Sequence, residues 1–171
     1  QPGDGEKWKA AYRDTHPAVV DLWKQGNRML ARLAGGAPLQ WGPVPVQTGK
    51  MTLPNGAACL YADLHYFKDA ETGESYWRHK TRHGWRKIYG AALVENLIQA
   101  LARVVISQAM VRLNRLGYRP LNMKHDAIWY ALPIDRAEEH ARVIMTEMCR
   151  VPEWMPGLPL GAEGKPGVRF G

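Results

Sequence analysis

The stretch from Gly90 to Leu116 constrains the fold more than any other part of the sequence. Its apolar side chains recur at helical spacing and form one wide face, at Leu93, Val94, Leu97, Ile98, Leu101, Val104, Val105, Met110 and Leu113. Gly117 follows directly and fits a left-handed cap at the end of a helix. The pattern predicts one long helix here, the strongest helical signal in the chain.

Shorter elements are predicted before this helix. Residues 7–33 carry apolar side chains at helical spacing, interrupted at Pro17, where Thr15 or Asp14 would cap a second helix. Residues 35–49 are rich in glycine and proline, which predicts loops. Two antiparallel strands are expected at 50–53 and 57–67 around the turn at 54–56, followed by one basic, aromatic strand at 76–88.

After the long helix, the sequence predicts a tight hairpin. Two strand candidates, 118–124 and 127–132, are separated only by His125 and Asp126, which would occupy its tip. Residues 135–150 predict another amphipathic helix, and residues 160–163 a short final strand. A chain of 171 residues, 46% of them hydrophobic, is long enough to bury a core. We therefore expect a single domain, 1–171, of the α+β class with antiparallel sheet.

Positive charge is concentrated in the middle of the chain. Ten Lys and Arg residues and one acid, Glu95, lie from Tyr76 to His125, a local net charge of +9, whereas the remaining residues carry 13 basic and 15 acidic groups. Clustered cations bind phosphate backbones by releasing counterions, so a polyanion partner is the economical explanation, with Arg82 and Arg86 as candidate DNA contacts. A solvated basic face is the alternative.

Composition also bears on compartment and cysteine chemistry. No apolar run reaches eighteen residues and the first nine residues are polar, so we expect an intracellular, cytoplasmic protein without a membrane partner. Cys59 and Cys149 are far apart and form no CxxC pair, which argues against a disulfide scaffold or a zinc ribbon and predicts two small core residues. The start at Gln1 suggests a fragment of something longer.

Four polar side chains are candidates for chemistry. Asn96, Gln99 and Arg103 would share one face of the long helix, and amides suit the minor-groove acceptors that all base pairs present. An ordinary solvated face is the alternative. Asp126 at the hairpin tip could bind a hard cation, because Mg²⁺ prefers one or two carboxylates together with phosphate oxygens and water. The alternative is an ordinary turn.

Together these features resemble the C-terminal palm region of bacteriophage family A (Pol I type) DNA polymerases. The family pattern is a YGGKLVENVVQAIARD helix followed by a VHDE hairpin, and this chain has YGAALVENLIQALAR at 89–103 and MKHD at 123–126. Three further segments agree in order. YRDTHP at 12–17 is similar to YREAHPEIV, LPNG at 53–56 to LPSGR, and WMPGLPLGAEG at 154–164 to WAPGLPLAAEG. The resemblance covers nearly the whole chain.

The resemblance implies an antiparallel palm-type sheet whose motif C hairpin packs against long helices, and it assigns roles to individual residues. Asp126 matches the motif C aspartate, one of two carboxylates that hold a catalytic pair of Mg²⁺ ions. His125 matches the residue beside the primer terminus. Gln99 matches the glutamine that probes the minor groove of the nascent base pair, with Asn96 or Glu95 as its neighbour. The implied partners are primer–template DNA and deoxynucleoside triphosphates, in the host cytoplasm if the gene belongs to a phage.

The chain also departs from the family pattern. Ala127 stands where the family has Glu, and neither the motif A aspartate, within DxSQIELR, nor the motif B helix is present. Arg78, Arg82 and Tyr89 imitate the motif B spacing but lead straight into the long helix, so we interpret them as a coincidence. We thus expect a polymerase fragment that is inactive alone and needs the missing remainder for activity. That remainder lies on a separate chain, was removed or never existed, and the sequence leaves these alternatives open.

Two other functions stay open at this point. The first is a non-catalytic DNA-binding or docking module, left by a degenerate or split polymerase. The second is a metal-dependent phosphohydrolase built on His125 and Asp126, but the sequence offers no second cluster of metal ligands for it.

Overall fold

The computed structural model describes residues 3–168 of the chain. Contacts between residues divide the chain into two compact units, Gln1–Ala100 and Leu101–Gly171. Both contain α-helix and antiparallel β-strands, so the predicted α+β class is confirmed. The single domain over 1–171 and the palm-type arrangement of the sheet stay predictions.

The first unit begins with two helices, α1 (Gly3–Thr15) and α2 (Pro17–Gly35). Pro17 lies in the first turn of α2, as predicted, but the predicted caps are wrong. His16 occupies the cap position without a side-chain capping bond, while the Thr15 hydroxyl donates to the carbonyl of Ala11 at 2.8 Å. Leu30 of α2 is fully buried.

A four-stranded antiparallel sheet follows, in the order β1 (Leu39–Trp41), β2 (Val44–Gln47), β3 (Lys50–Thr52) and β4 (Ala58–Leu60). The hairpin of β3 and β4 confirms the pair of strands predicted around the turn at 54–56. The single second strand predicted at 57–67 is wrong, because the chain breaks it at Tyr61 into β4 and a further strand, Ala62–Lys68, that belongs to the next sheet. The expectation of loops throughout 35–49 is wrong. Val44 and Val46 alternate with exposed residues and are buried, which supplies the apolar face that a short strand needs.

A three-stranded antiparallel sheet completes the strands of the first unit, in the order β5 (Ala62–Lys68), β6 (Ser75–Thr81) and β7 (Gly84–Ile88). The single strand predicted at 76–88 is therefore wrong, because the chain reverses at Arg82 and His83, between β6 and β7. Leu64 and Ile88 are buried. The 3-stranded sheet is called the basic sheet below.

The long helix, α3 (Gly90–Arg115), begins in the first unit and continues into the second. It confirms the predicted helix, and Gly117 has φ of 92°, the left-handed conformation expected for a cap. By length and composition alone α3 could cross a membrane, a test that core helices of soluble proteins also pass. Leu93 and Leu113 of α3 are fully buried within the protein.

The start of α3 lies against α2 with backbone touching backbone. A Cβ atom at Gly26 would clash with the carbonyl group of Gly90, and one at Gly90 would clash with the backbone of α2 at Trp23 and Asn27. The main-chain N–H of Gly90 donates to Oδ1 of Asn27 at 2.7 Å. Two glycines therefore allow a contact that any larger residue would prevent.

The second unit contains the rest of α3, a hairpin of β8 (Pro120–Lys124) and β9 (Ala127–Tyr130), a 3₁₀ turn at Ile134–Arg136 and helix α4 (Ala137–Met148). The hairpin and α4 confirm the predicted elements. The final strand expected at 160–163 is wrong, because these residues have no regular structure.

Both cysteines are free thiols, as expected, but they are half-buried rather than part of the core. Burial raises the pKa of the Cys59 thiol above its ordinary value.

Candidate functional site

The tip of the β8–β9 hairpin consists of His125 and Asp126, both exposed. Lys124 pairs with Ala127 across the hairpin, so the two tip residues form the whole turn. His125 has φ of 54°. Positive φ is uncommon outside glycine, and histidine is among the residues that adopt it more readily. The turn thus presents an imidazole and a carboxylate side by side to solvent.

Asp126 is available to a ligand. No Lys, Arg or His within residues 3–168 forms an ion pair with its carboxylate, whereas five ion pairs engage other carboxylates of the same part of the chain. Mg²⁺ accepts such an oxygen ligand readily. Asp126 does not belong to a cluster of metal ligands, because no group of three His, Cys, Asp or Glu side chains in the described residues could hold a metal ion. The tip therefore offers one ligand of a metal site.

Arg103 of α3 contacts the same hairpin. Its Nη1 atom lies 3.5 Å from the carbonyl oxygen of His125 and 3.5 Å from Sδ of Met123, at the outer limit for hydrogen bonds. The guanidinium carries five N–H donors, so most of them stay available to a further partner. The second unit thus brings together three of the predicted site residues: Arg103, His125 and Asp126.

Asn96 and Gln99 lie on the part of α3 that belongs to the first unit, and both are exposed. Nδ2 of Asn96 donates to the hydroxyl of Tyr61 at 3.4 Å. Burial raises the pKa of Tyr61. Asn96 therefore has a structural contact, whereas the side chain of Gln99 makes no hydrogen bond within residues 3–168. That Gln99 and Asp126 border one shared site stays a prediction. The expected roles of these two residues toward DNA stay predictions as well.

Arg82 and Arg86 lie in the hairpin of β6 and β7. Arg82 is in the turn, where its Nε donates to Nε2 of His83 at 2.8 Å, and Arg86 is on β7. Both are exposed, and neither has an acidic partner among the described residues. The spacing of Arg78 and Arg82 imitates motif B, but these residues occupy a strand and a turn rather than a helix. That placement supports its interpretation as a coincidence.

Within residues 76–125, called the basic segment below, the structure distinguishes cations that are paired with an acid from cations that are not. Arg112 is bound by Glu147, and Lys87 by Glu74, both acids outside the segment. The sequence did not predict the surroundings of a third cation, Arg78, whose guanidinium lies over the rings of both Phe67 and Trp85. Alternation along β6 and β7 could have indicated it, but only once the strand break at Arg82 was known.

Comparison with known proteins finds a distant relative. No family model and no solved structure matches the chain. A DNA polymerase of Bacillus phage SP02 is 29% identical over 175 aligned residues, which cover 86% of this chain and 26% of the phage protein. The chain thus spans about a quarter of the length of that relative. The predicted relationship to a phage DNA polymerase is confirmed, at a distance, over most of the chain.

Proposed function

We propose that this chain is the C-terminal palm segment of a template-directed DNA polymerase of family A and supplies the motif C carboxylate, Asp126, to a nucleotidyl-transfer site. One observation carries the proposal. Asp126 stands exposed at a two-residue hairpin tip, free of ion pairs within residues 3–168, in a chain similar to a phage DNA polymerase.

The residues of the tip fit a metal-assisted reaction in which this chain supplies one side of the site. Asp126 would hold Mg²⁺ together with a carboxylate outside this chain. When bound, the metal pair activates the primer 3′ hydroxyl and offsets the charge of the leaving pyrophosphate. Arg103 contacts the main-chain carbonyl of His125, so it would position the tip from α3.

The remaining proposed contacts concern DNA. His125 would lie beside the primer terminus. The Gln99 amide would donate to purine N3 or pyrimidine O2 in the minor groove, acceptors that every base pair presents. Arg82 and Arg86 would meet phosphates, since both are exposed cations. The partners are primer–template DNA, deoxynucleoside triphosphates and the remainder of the polymerase, in the cytoplasm of a host cell.

Metal binding by the chain itself tests the first step. Mn²⁺, which substitutes for Mg²⁺ at oxygen ligands, is paramagnetic and broadens NMR signals near it. We expect broadening at His125 and Asp126 at lower Mn²⁺ concentrations than at Asp135, an exposed aspartate in the same unit. Asp126→Asn should remove this difference. Identical broadening in that variant would remove Asp126 from any metal site.

Primer extension tests the reaction. The 171-residue chain alone is expected to incorporate no nucleotide, because two-metal transfer needs carboxylates from both sides of the metals. A chimera that joins this chain to the upstream part of the Bacillus phage SP02 enzyme should extend a primer. Asp126→Asn should abolish extension while DNA affinity is kept, and Asp135→Asn should have no effect. Extension by the isolated chain would contradict the proposal.

A second candidate function is a non-catalytic DNA-binding or docking module. Ala127, directly after Asp126, favours it, because the resembled family has a carboxylate at that position. The residues that the structure describes also contain no group of three His, Cys, Asp or Glu side chains that could hold a metal ion. A folded chimera that binds primer–template DNA without extending it would support this function over the first.

A further inference from the structure

One face of the basic sheet carries a row of aromatic and cationic side chains. Residues paired across antiparallel strands project to the same face of a sheet. The pairs His65 with Arg78, Phe67 with Tyr76, Arg78 with Lys87 and Lys80 with Trp85 therefore share one side. We call this side the aromatic–cationic face: His65, Phe67, Tyr76, Arg78, Lys80, Trp85 and Lys87.

Arg78 lies at the centre of this face, in contact with two aromatic rings and an imidazole. Its Cζ atom lies 3.4 Å from the centroid of the Phe67 ring and 4.5 Å from that of Trp85. Its Nε donates to Nε2 of His65 at 3.0 Å. No carboxylate of residues 3–168 pairs with Arg78. The guanidinium is thus oriented by rings and an imidazole, and its charge is not neutralised by an acid.

The hydrophobic core of the first unit does not explain why these side chains lie together on one face. Leu64 and Ile88, which bury the sheet, project to the opposite side, since they alternate with His65 and Lys87 along their strands. Trp85 keeps 46% of its surface exposed on an edge strand, and Lys80 is exposed. Trp85 contacts Arg78 and His65 within the sheet, and the part of the indole that stays exposed beside unneutralised cations suits a ligand that is both flat and anionic.

We propose that the aromatic–cationic face binds single-stranded DNA, with bases stacking on Trp85 and phosphates meeting Arg78 and Lys80. Unpaired bases expose their π-faces, and a row of aromatic rings interleaved with cations is the chemistry that binds such strands without sequence preference. In a duplex the bases already stack on one another, so the indole would have no base to receive. The proposal uses none of the residues assigned to the nucleotidyl-transfer site.

Fluorescence anisotropy with a labelled oligothymidine, on the full 171-residue chain, tests the proposal. We expect the single strand to bind more tightly than a duplex of the same length. Trp85→Leu should weaken single-strand binding about tenfold, the usual effect of losing one stacked base. Lys80→Gln should reduce the slope of log affinity against log salt by about 0.7, the value for one phosphate contact on a single strand.

Tyr66→Leu is the matched control. Tyr66 lies on β5, is 59% exposed and projects to the opposite side, where it pairs with Trp77. The control should bind the single strand as the unmodified chain does, within about twofold. Circular dichroism melting confirms that each variant is folded, and Arg78→Lys, which keeps the charge but loses the planar stack, gives a second reading if Trp85→Leu does not fold.

The proposal is overturned by three results. These are unchanged affinity in Trp85→Leu or Arg78→Lys, equal weakening in Tyr66→Leu, and a duplex that binds as tightly as the single strand. The assay contains neither a metal ion nor a deoxynucleoside triphosphate, so a negative result would leave the Asp126 proposal standing. Failure of primer extension would likewise leave this one standing.

Discussion

Arg112 of α3 holds Glu147 of α4 through two hydrogen bonds in the second unit. Its Nε donates to Oε2 at 2.9 Å, and its Nη2 donates to the main-chain carbonyl at 2.7 Å. Only 24% of the Arg112 side chain and 19% of the Glu147 side chain are exposed. One of the ten cations that suggested a polyanion partner therefore has a structural role, because it joins α3 to α4.

Arg112→Gln is expected to lower the free energy of unfolding by about 1.5–3 kcal/mol, since the largely buried Glu147 carboxylate loses its closer charged partner and keeps only Arg150, at 3.9 Å. Urea unfolding at neutral pH measures the change. Arg115→Gln, an exposed cation one turn along α3, should stay within about 0.5 kcal/mol of the unmodified chain. Equal stability of the two variants would show that the pair contributes nothing.

Duplex DNA binding should be weak, independent of sequence and steeply dependent on salt. Arg82→Gln and Arg86→Gln should each reduce the slope of log affinity against log salt by about 0.9, the value for one phosphate contact on a duplex. Lys9→Gln, on α1 and outside the basic segment, is the control and should leave the slope unchanged. A slope that does not respond to either arginine would exclude both from the DNA contact.

Local rules accounted for the elements that position the candidate tip. The apolar period predicted α3, Gly117 marked its end, and a two-residue gap between apolar runs predicted the hairpin that exposes His125 and Asp126. Each of these signals lies within a few residues of the feature it predicts. Sequence reasoning therefore placed the tip correctly on its hairpin.

Structural features that leave no mark in the neighbouring sequence were not predicted. The turn between β6 and β7 is made by Arg82 and His83, and only Gly84, with φ of 103°, indicates a reversal. The partners of Arg78 and Arg112 lie at least 7 and 35 residues away in sequence, so charge counting could not distinguish a stacked or ion-paired arginine from a free one. Three-dimensional contacts decide which cations of the basic segment are available.

His79 of β6 should make stability depend on pH. Burial lowers the pKa of His79 below its ordinary value, and its Nδ1 is buried without a hydrogen-bond partner in the described residues. The folded chain therefore disfavours the protonated ring, whereas the unfolded chain protonates it near pH 6.5. Its contribution to stability is full above that pH and declines as the pH falls through the lowered pKa of the folded state.

Urea unfolding at pH 7.5 and pH 5.5 measures this effect. His79→Gln should lose less stability between the two values than the unmodified chain does, because it lacks the titrating ring. His83→Gln, in the exposed turn of the same sheet, controls for removing an imidazole. The same loss in His79→Gln and in the unmodified chain would show that His79 does not carry the dependence.

The contact of Gly26 with Gly90 gives a prediction about the first unit. Gly26→Ala places a methyl group against the Gly90 carbonyl, and because both sides are backbone neither can move aside as a side chain could. We expect a loss of about 1–3 kcal/mol in the free energy of unfolding, the usual cost of overpacking. Gly35→Ala, on the same helix with nothing within 4 Å of the added carbon, should be neutral or slightly stabilising, because alanine favours helix. Urea midpoints for the two variants provide the comparison, and a Gly26→Ala chain as stable as Gly35→Ala would mean that α2 and α3 do not meet at these glycines.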